Sequence, residues 1–257
     1  MPASVAVVTG ASGNLGRVLV TECAKQFDFV IAFDRREDAD AASSNFVTEN
    51  TLWCLGSECD NLRDGIITMV LTSRLSLIPN WKSLYFFHAA AEVRTAGELK
   101  LQEVLQNNTL LTLNLFNEVT KWCDDWNVRL RFIVFDTVGR TLITRNSTNY
   151  SASKAAQHIC ALEMQSRSLA LEKTSVLILY LGFDDSVTND HLNVRFLKIS
   201  TIKMVRKVVE AALGDKSRVS VPCVRNALIG TIGRAMRLLP PKKRNRFESY
   251  LLGLFRV

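Results

Sequence analysis

Tyr150 and Lys154 stand four residues apart in the run Tyr150-Ser151-Ala152-Ser153-Lys154. On a helix, positions i and i+4 share one face, so a phenol and an ammonium would lie one turn apart. A free tyrosine titrates near ~10, too high for efficient proton transfer at neutral pH. A neighbouring cation favours the phenolate and narrows that gap. The pair therefore predicts proton-transfer chemistry at Tyr150, assisted by Lys154. A Tyr-x-x-x-Lys pattern is common by chance, so its weight depends on the elements that position it.

Those elements alternate along the chain. Strand-like apolar runs occur at Val5–Val8, Phe29–Phe33, Thr51–Leu55, Leu84–Phe87, Leu130–Phe135, Ser175–Leu181 and Val219–Val224. Between them lie stretches with a period near 3.6, at Leu15–Gln26, Leu62–Leu75, Leu101–Trp122, Ser153–Leu171 and Thr201–Leu213. Strand–helix alternation predicts a parallel sheet covered on both faces. Right-handed crossovers then give an α/β fold, a doubly wound parallel sheet of Rossmann type. The expectation is a single domain over residues 1–257, with 225–257 a basic, apolar helical extension. Tyr150 follows the fifth strand of this pattern.

The first strand runs into Val8-Thr9-Gly10-Ala11-Ser12-Gly13-Asn14-Leu15-Gly16-Arg17. Gly10 permits a tight turn, Gly13 lets backbone approach a pyrophosphate, and Gly16 lets the next helix pack close. The N–H groups of that helix's first turn would face the phosphates. No Gly-Lys-Ser/Thr follows, which excludes the Walker-type loop. The pattern predicts a dinucleotide site drawing on Gly10, Ser12, Gly13, Asn14, Leu15 and Gly16. Asp34 ends the second strand, 18 positions after Gly16. A carboxylate there accepts hydrogen bonds from ribose hydroxyls and repels a ribose phosphate, which favours NAD. Arg35 and Arg36 pull toward NADP, since guanidinium groups pair with phosphate.

With these features the sequence resembles the short-chain dehydrogenase/reductase family, over roughly residues 5–224. The resemblance rests on the glycine turn, on His88-Ala89-Ala90-Ala91 after the fourth strand, on the Tyr150/Lys154 pair, and on Leu181-Gly182-Phe183 after the sixth. It implies that Tyr150 is the general acid/base, and that Lys154 binds the nicotinamide ribose and lowers the Tyr150 pKa. A family serine that holds the substrate oxygen falls on Thr137, thirteen residues before the tyrosine. A family asparagine that supports a proton-relay water falls on Asn108, with Asn107 as neighbour. Ala89, Ala90, Gly182 and Ser186 join the cofactor site by the same resemblance.

There are departures from the family pattern. Threonine replaces serine at 137, adding a methyl and restricting χ1. His88-Ala89-Ala90-Ala91 and the glycine spacing are of the extended subclass, yet the chain is short for that subclass's separate substrate domain. Leu181-Gly182 stands where Pro-Gly is usual. The implied activity is hydride transfer between a nicotinamide and an alcohol or ketone carbon of a moderately apolar small molecule. The alternatives are a non-catalytic dinucleotide-binding regulator or scaffold on the same fold and an extended-type epimerase or dehydratase acting on nucleotide sugars, the latter disfavoured by the little chain after the seventh strand.

Bulk properties set the remaining bounds. The chain has 257 residues, 47% hydrophobic and 22% charged, so a core is available and disorder is not the general state. None of the six cysteines forms a CxxC pair or a zinc-spaced cluster, so no metal is expected. No secretory pattern opens the sequence and no apolar run approaches the ~20 residues of a membrane span. A cytoplasmic protein with reduced thiols is expected. A net charge of +7 suits an anionic partner or a solvated surface, with no nucleic-acid motif present. The C-terminal segment would pack in a homo-oligomer, dimer or tetramer, cap the pocket, or touch a membrane surface.

Overall fold

The computed structural model describes residues 3–34, 49–55, 66–76, 78, 80–91, 100–137, 148–182, 200–221, 227, 231–232, 240 and 243. The strands are β1 (Ala3–Thr9), β2 (Phe29–Asp34), β3 (Thr51–Leu55), β4 (Trp81–His88), β5 (Arg129–Thr137), β6 (Thr174–Leu181) and β7 (Arg218–Val221). The helices are α1 (Asn14–Cys23), α2 (Ile66–Leu75), α3 (Leu101–Leu105), α4 (Leu111–Asp125), α5 (Thr148–Ser168) and α6 (Thr201–Leu213). A π-helical turn, Gln106–Leu110, joins α3 to α4.

The strands pair in parallel in the order β3-β2-β1-β4-β5-β6-β7. β1 lies between β2 and β4, so the winding direction reverses at β1. In such sheets ligands bind in the crevice at the carboxyl ends of the two central strands. Here those ends are Thr9-Gly10 and His88-Ala89-Ala90.

Each central strand is apolar on both faces because helices cover both. Within β1, Val5 and Val7 join one core cluster and Ala6 and Val8 the other. The first cluster packs under α2, α4 and α5, the second under α1 and α6. The α6 stripe of Met204, Val205, Val208, Val209 and Ala212 recurs at helical spacing and is buried. Phe86 stacks on Phe132 at 5.1 Å between ring centroids, and Phe116 meets Phe132 edge-on at 5.4 Å. These rings seat α4 over β4 and β5 and so fix the height of the π-helical turn above the sheet.

The expected doubly wound sheet is present, with three refinements. The single helix expected over 101–122 is interrupted, because Gln106–Leu110 takes an i→i+5 pattern. Such turns are common at functional sites. The helix expected from Ser153 begins five residues earlier, so Tyr150 lies inside its first turn. The last strand is seen over Arg218–Val221, and residues 222–224 fall outside the described residues. The extension expected over 225–257 is described only at 227, 231–232, 240 and 243, so its packing lies outside the described residues. Among the described residues, no helix is long and apolar enough to cross a membrane.

A Cβ at position 16 would collide with the Gly10 carbonyl oxygen and stand 2.8 Å from Ala11 Cα. Both obstacles are backbone. Gly16→Ala is therefore expected to destabilise the fold by about 1–3 kcal/mol. Thermal denaturation should show a fall in Tm of roughly 2 °C or more.

Candidate active site

The turn after β1 is built from backbone that tolerates almost no side chains. Gly10 has φ +70°, and a Cβ there would lie 2.7 Å from Ala90 Cα across the β1/β4 crevice. Ala11 N–H donates to Phe33 O at 3.1 Å, tying the turn to the end of β2. Arg17 Nε donates to Ser12 O at 2.8 Å and clamps the turn from the helix. Gly13 caps α1 in an extended conformation without a side-chain cap. The first N–H groups of a helix have no acceptor within the helix, and they carry the positive end of its dipole.

Asp34, buried at the end of β2, accepts the Ser12 backbone N–H through Oδ2 at 2.9 Å. Its carboxylate is thus fixed at the rim of the same turn. Ser12 Oγ is buried with no hydrogen-bond partner among the described residues. An orphaned buried hydroxyl is costly unless a further group satisfies it. A glycine-rich turn, a helix N-terminus and a buried hydroxyl without a partner among the described residues together suit the pyrophosphate of a dinucleotide. Of the predicted cofactor residues, Gly10 abuts Ala89 and Ala90, Gly13 and Gly16 abut Gly10, and Ser12 is tied to Asp34, while Asn14 and Leu15 open α1. Gly182 follows β6 and donates its N–H to Val221 O at 2.9 Å. Arg35, Arg36 and Ser186 lie outside the described residues.

The second half of the site comes from α5. Tyr150 and Lys154 are one turn apart, with Nζ 5.9 Å from the phenol ring centroid. Lys154 is almost fully buried, and its Nζ donates to Phe135 O at 3.1 Å and Gln157 Oε1 at 2.7 Å. Gln157 Nε2 donates to Thr112 Oγ1 at 2.7 Å, and Thr112 Oγ1 donates to Asn108 O at 2.7 Å. Asn108, fully buried in the π-helical turn, donates through Nδ2 to Ser153 Oγ at 3.0 Å. Ser153 Oγ in turn donates to Tyr150 O at 2.8 Å. One polar network therefore joins α5 to the π-helical turn and to the end of β5. Thr137 closes β5, its N–H donating to Asp136 Oδ1 at 2.8 Å.

Electrostatics at the pair differ from the simplest expectation. Burial pushes the Lys154 ammonium down to about 8, against a smaller upward pull from Asp136. Tyr150 keeps partial exposure, but its phenol end is densely surrounded. Burial pushes its pKa above the ordinary tyrosine range, and the Asp136 carboxylate adds to that rise. Both effects favour the protonated phenol. His88 is buried, with Nδ1 2.9 Å from Thr9 Oγ1. Desolvation, helped by Lys154, lowers its pKa to about 3, so it is neutral at pH 7.

Sequence reasoning singled out Tyr150, Lys154, Thr137 and Asn108; the polar network links Tyr150, Lys154 and Asn108, and Thr137 lies at the end of β5, two residues after the Phe135 carbonyl that accepts from Lys154. It missed Thr112, Ser153 and Gln157, which satisfy the buried lysine and asparagine. It also missed Asp136 and His158, although His158 follows Lys154 by the spacing that separates Lys154 from Tyr150.

The fold is that of a Rossmann-type domain, with a glycine turn after β1 and a Tyr–Lys pair on α5. A model of the NAD dependent epimerase/dehydratase family matches residues 6–176. The chain belongs to that family, within the short-chain dehydrogenase/reductases that its sequence resembles. It is thus an NAD(P)-dependent oxidoreductase of the short-chain type. Among solved structures it is similar to a short-chain dehydrogenase from Burkholderia cenocepacia J2315 in complex with NADP. That likeness has TM-score 0.69 and 19% identity, covering 93% of this chain and 98% of that one. A short-chain dehydrogenase from Streptomyces avermitilis matches with TM-score 0.69 and 18% identity over 98% of both chains. A serine dehydrogenase from Escherichia coli matches with TM-score 0.63 and 16% identity, over 84% of this chain and 96% of that one. No curated protein matches the chain in sequence.

The lowered Lys154 pKa makes a stability prediction. A lysine titrating near 8 in the folded state and near 10.5 unfolded penalises folding below pH 8. The penalty fades as pH rises toward the unfolded value. Lys154→Met removes this dependence. Denaturant melts of both proteins should show wild type gaining on the variant between pH 8 and about 10.5. A constant difference across that range would contradict the burial-driven shift.

Proposed function

We propose that this protein moves a hydride between a nicotinamide and an alcohol or ketone carbon of a moderately apolar small molecule. Tyr150 is the proton donor and acceptor in this reading. What supports it is that Tyr150 and Lys154 lie one turn apart on α5, that Lys154 is near enough to His88 at the end of β4 to act on it, and that the glycine turn after β1 suits a pyrophosphate. The bound cofactor supplies or receives the hydride. The chain's own residues bind, orient and move the proton.

In this proposal Tyr150 Oη passes its proton to the carbonyl oxygen during reduction, or takes it from the hydroxyl during oxidation. Thr137 Oγ1 donates a hydrogen bond to the same substrate oxygen and fixes its position. Lys154, held by Phe135 O and Gln157, is oriented for the ribose and lends positive charge to the phenol. Asn108 orders the π-helical turn that faces α5. A positive charge on the oxidised nicotinamide adds to that of Lys154, and both offset the burial that holds Tyr150 protonated.

Further details belong to the same proposal. Asp34 favours NAD in this reading: its carboxylate, held at the end of β2 by the Ser12 N–H, would accept hydrogen bonds from ribose hydroxyls and oppose a ribose phosphate. The substrate is chosen by the loop after β6 and the C-terminal segment. Exposed apolar residues such as Ile159 on α5 support a homo-oligomer.

The direct experiment follows reduced-nicotinamide absorbance while ketones and alcohols are offered with NAD and NADP. Tyr150→Phe should fold, bind cofactor and lose at least about 100-fold in kcat on whatever substrate is found. Retention of more than about a tenth of the rate, a loss under roughly 1.4 kcal/mol, would remove Tyr150 from the role. If no panel member turns over while NAD binds well, the regulator reading takes its place.

Cofactor choice has its own test. Wild type should bind NAD more tightly than NADP, and Asp34→Ser should narrow or reverse the preference. The change removes a carboxylate that opposes the 2′-phosphate. Charge-assisted bonds of about 1.5–3 kcal/mol from Arg35 and Arg36 then become available to NADP. Paired titrations check it, and tighter NADP binding by the wild type would show that the arginines outweigh Asp34.

A further inference from the structure

A charged lysine carries three ammonium protons, and the described residues take two from Lys154. One goes to Phe135 O at 3.1 Å and one to Gln157 Oε1 at 2.7 Å. The third has no acceptor among the described residues. Lys154 is only 4% exposed, so bulk water does not freely serve that proton. An unmet donor on a buried ammonium is costly.

His88 has the matching deficit. It closes β4, is 1% exposed, and its Nε2 has no hydrogen-bond partner among the described residues. Its other nitrogen is engaged: Nδ1 lies 2.9 Å from Thr9 Oγ1, which also accepts the Ala90 N–H at 3.4 Å. Thr9 and His88 are register partners across β1 and β4, so this bond steadies the ring. Burial and the Lys154 charge keep the imidazole neutral at pH 7.

The two deficits lie close together. His88 pairs in register with Val134, the residue before the Phe135 carbonyl that accepts from Lys154. The imidazole lies 6.5 Å from the Phe132 ring, between centroids, on the face of the sheet that α5 covers. Lys154 reaches the end of β5 from that helix. No direct bond joins Nε2 to Nζ. One water molecule can join them, because it accepts from the ammonium and can donate to Nε2 or accept from it. It therefore serves either neutral tautomer of His88.

We propose that His88 is a positioning residue for Lys154: its Nε2 shares one buried water with the ammonium and so holds the lysine from the β4 side. Thr9 acts behind it by steadying the ring. A nicotinamide ribose hydroxyl can take the water's place, since it too donates and accepts. Among the described residues, the titratable groups acting on or beside Lys154 are Tyr150 on α5, Asp136 on β5 and His88 itself.

The inference rests on the proposed reading for the task of Lys154, yet its test reads the lysine directly and needs no turnover. The Lys154 Cε signal is titrated by carbon-13 NMR in the full chain, with Lys154→Met as the reference that assigns it. His88→Leu should lower the Lys154 titration by about one unit, because the ammonium loses a hydrogen-bonded neighbour. His88→Gln should restore it to near the wild-type value, because an amide also donates and accepts. The reciprocal measurement follows the nitrogen-15 signals of the His88 ring, assigned among the chain's 3 histidines. Lys154→Met should move Nε2 more than Nδ1. If His88→Leu does not fold, this second measurement carries the test alone. An unmoved lysine titration in His88→Leu, equal falls in both His88 variants, or an unmoved Nε2 signal in Lys154→Met overturns the proposal. The expected shifts in a protein that turns over no substrate would leave the role of His88 standing and overturn the oxidoreductase reading instead.

Discussion

Across the crevice between β1 and β4, the backbone at Gly10 and Ala90 comes so close that a Cβ on residue 10 would stand 2.7 Å from the Ala90 Cα. Gly10 also takes a φ of +70°, which side chains rarely allow. The same turn brings Gly16 against the Gly10 carbonyl, so α1 starts directly above the sheet. Everything at the cofactor end follows from this contact. α1 starts at the turn, Ser12 N–H reaches Asp34, and the buried Ser12 Oγ has no partner among the described residues. A bulkier turn would lift the helix and close the anion site together.

The other half of the site obeys a different constraint, the cost of burying an ammonium. Lys154 is stable in the interior only because Phe135 O and Gln157 receive its protons. Gln157 must then be held by Thr112, and Thr112 by the carbonyl of Asn108. That demand reaches from α5 into the π-helical turn, where the irregular backbone seats Asn108 opposite Ser153. The π-helical turn is thus part of one network with the lysine. The stacked rings of Phe86 and Phe132, with Phe116 edge-on, supply the apolar floor that keeps this network at its height.

These two constraints meet in a conflict of charge. Burial raises Tyr150 and lowers Lys154, so the pair drifts toward a neutral amine and a protonated phenol. Proton transfer needs the opposite tendency. Asp136 restores charge to the lysine at the expense of the tyrosine, and a cationic ligand over the crevice would favour the phenolate. The site is therefore tuned by a balance of opposed terms in a low-dielectric setting, where each is stronger than in water.

Local pattern carried much of this into the sequence. β-branched runs, helical periodicity and the glycine spacing are short-range features, so the doubly wound sheet, the phosphate turn and the Tyr150–Lys154 face were legible from neighbours a few residues apart. The ends of elements were less so. Nothing in Gln106-Asn107-Asn108-Thr109 announces a π-helical turn, because that irregularity answers a demand made by Gln157 and Ser153, over forty residues away. The polarity of the site was also decided in three dimensions. From spacing alone, Lys154 should lower the pKa of Tyr150. Only packing reveals that burial and Asp136 push the other way, and that His158 faces Asp136. Spacing along a helix fixes direction and reach, whereas a pKa depends on desolvation by every element that closes around the group.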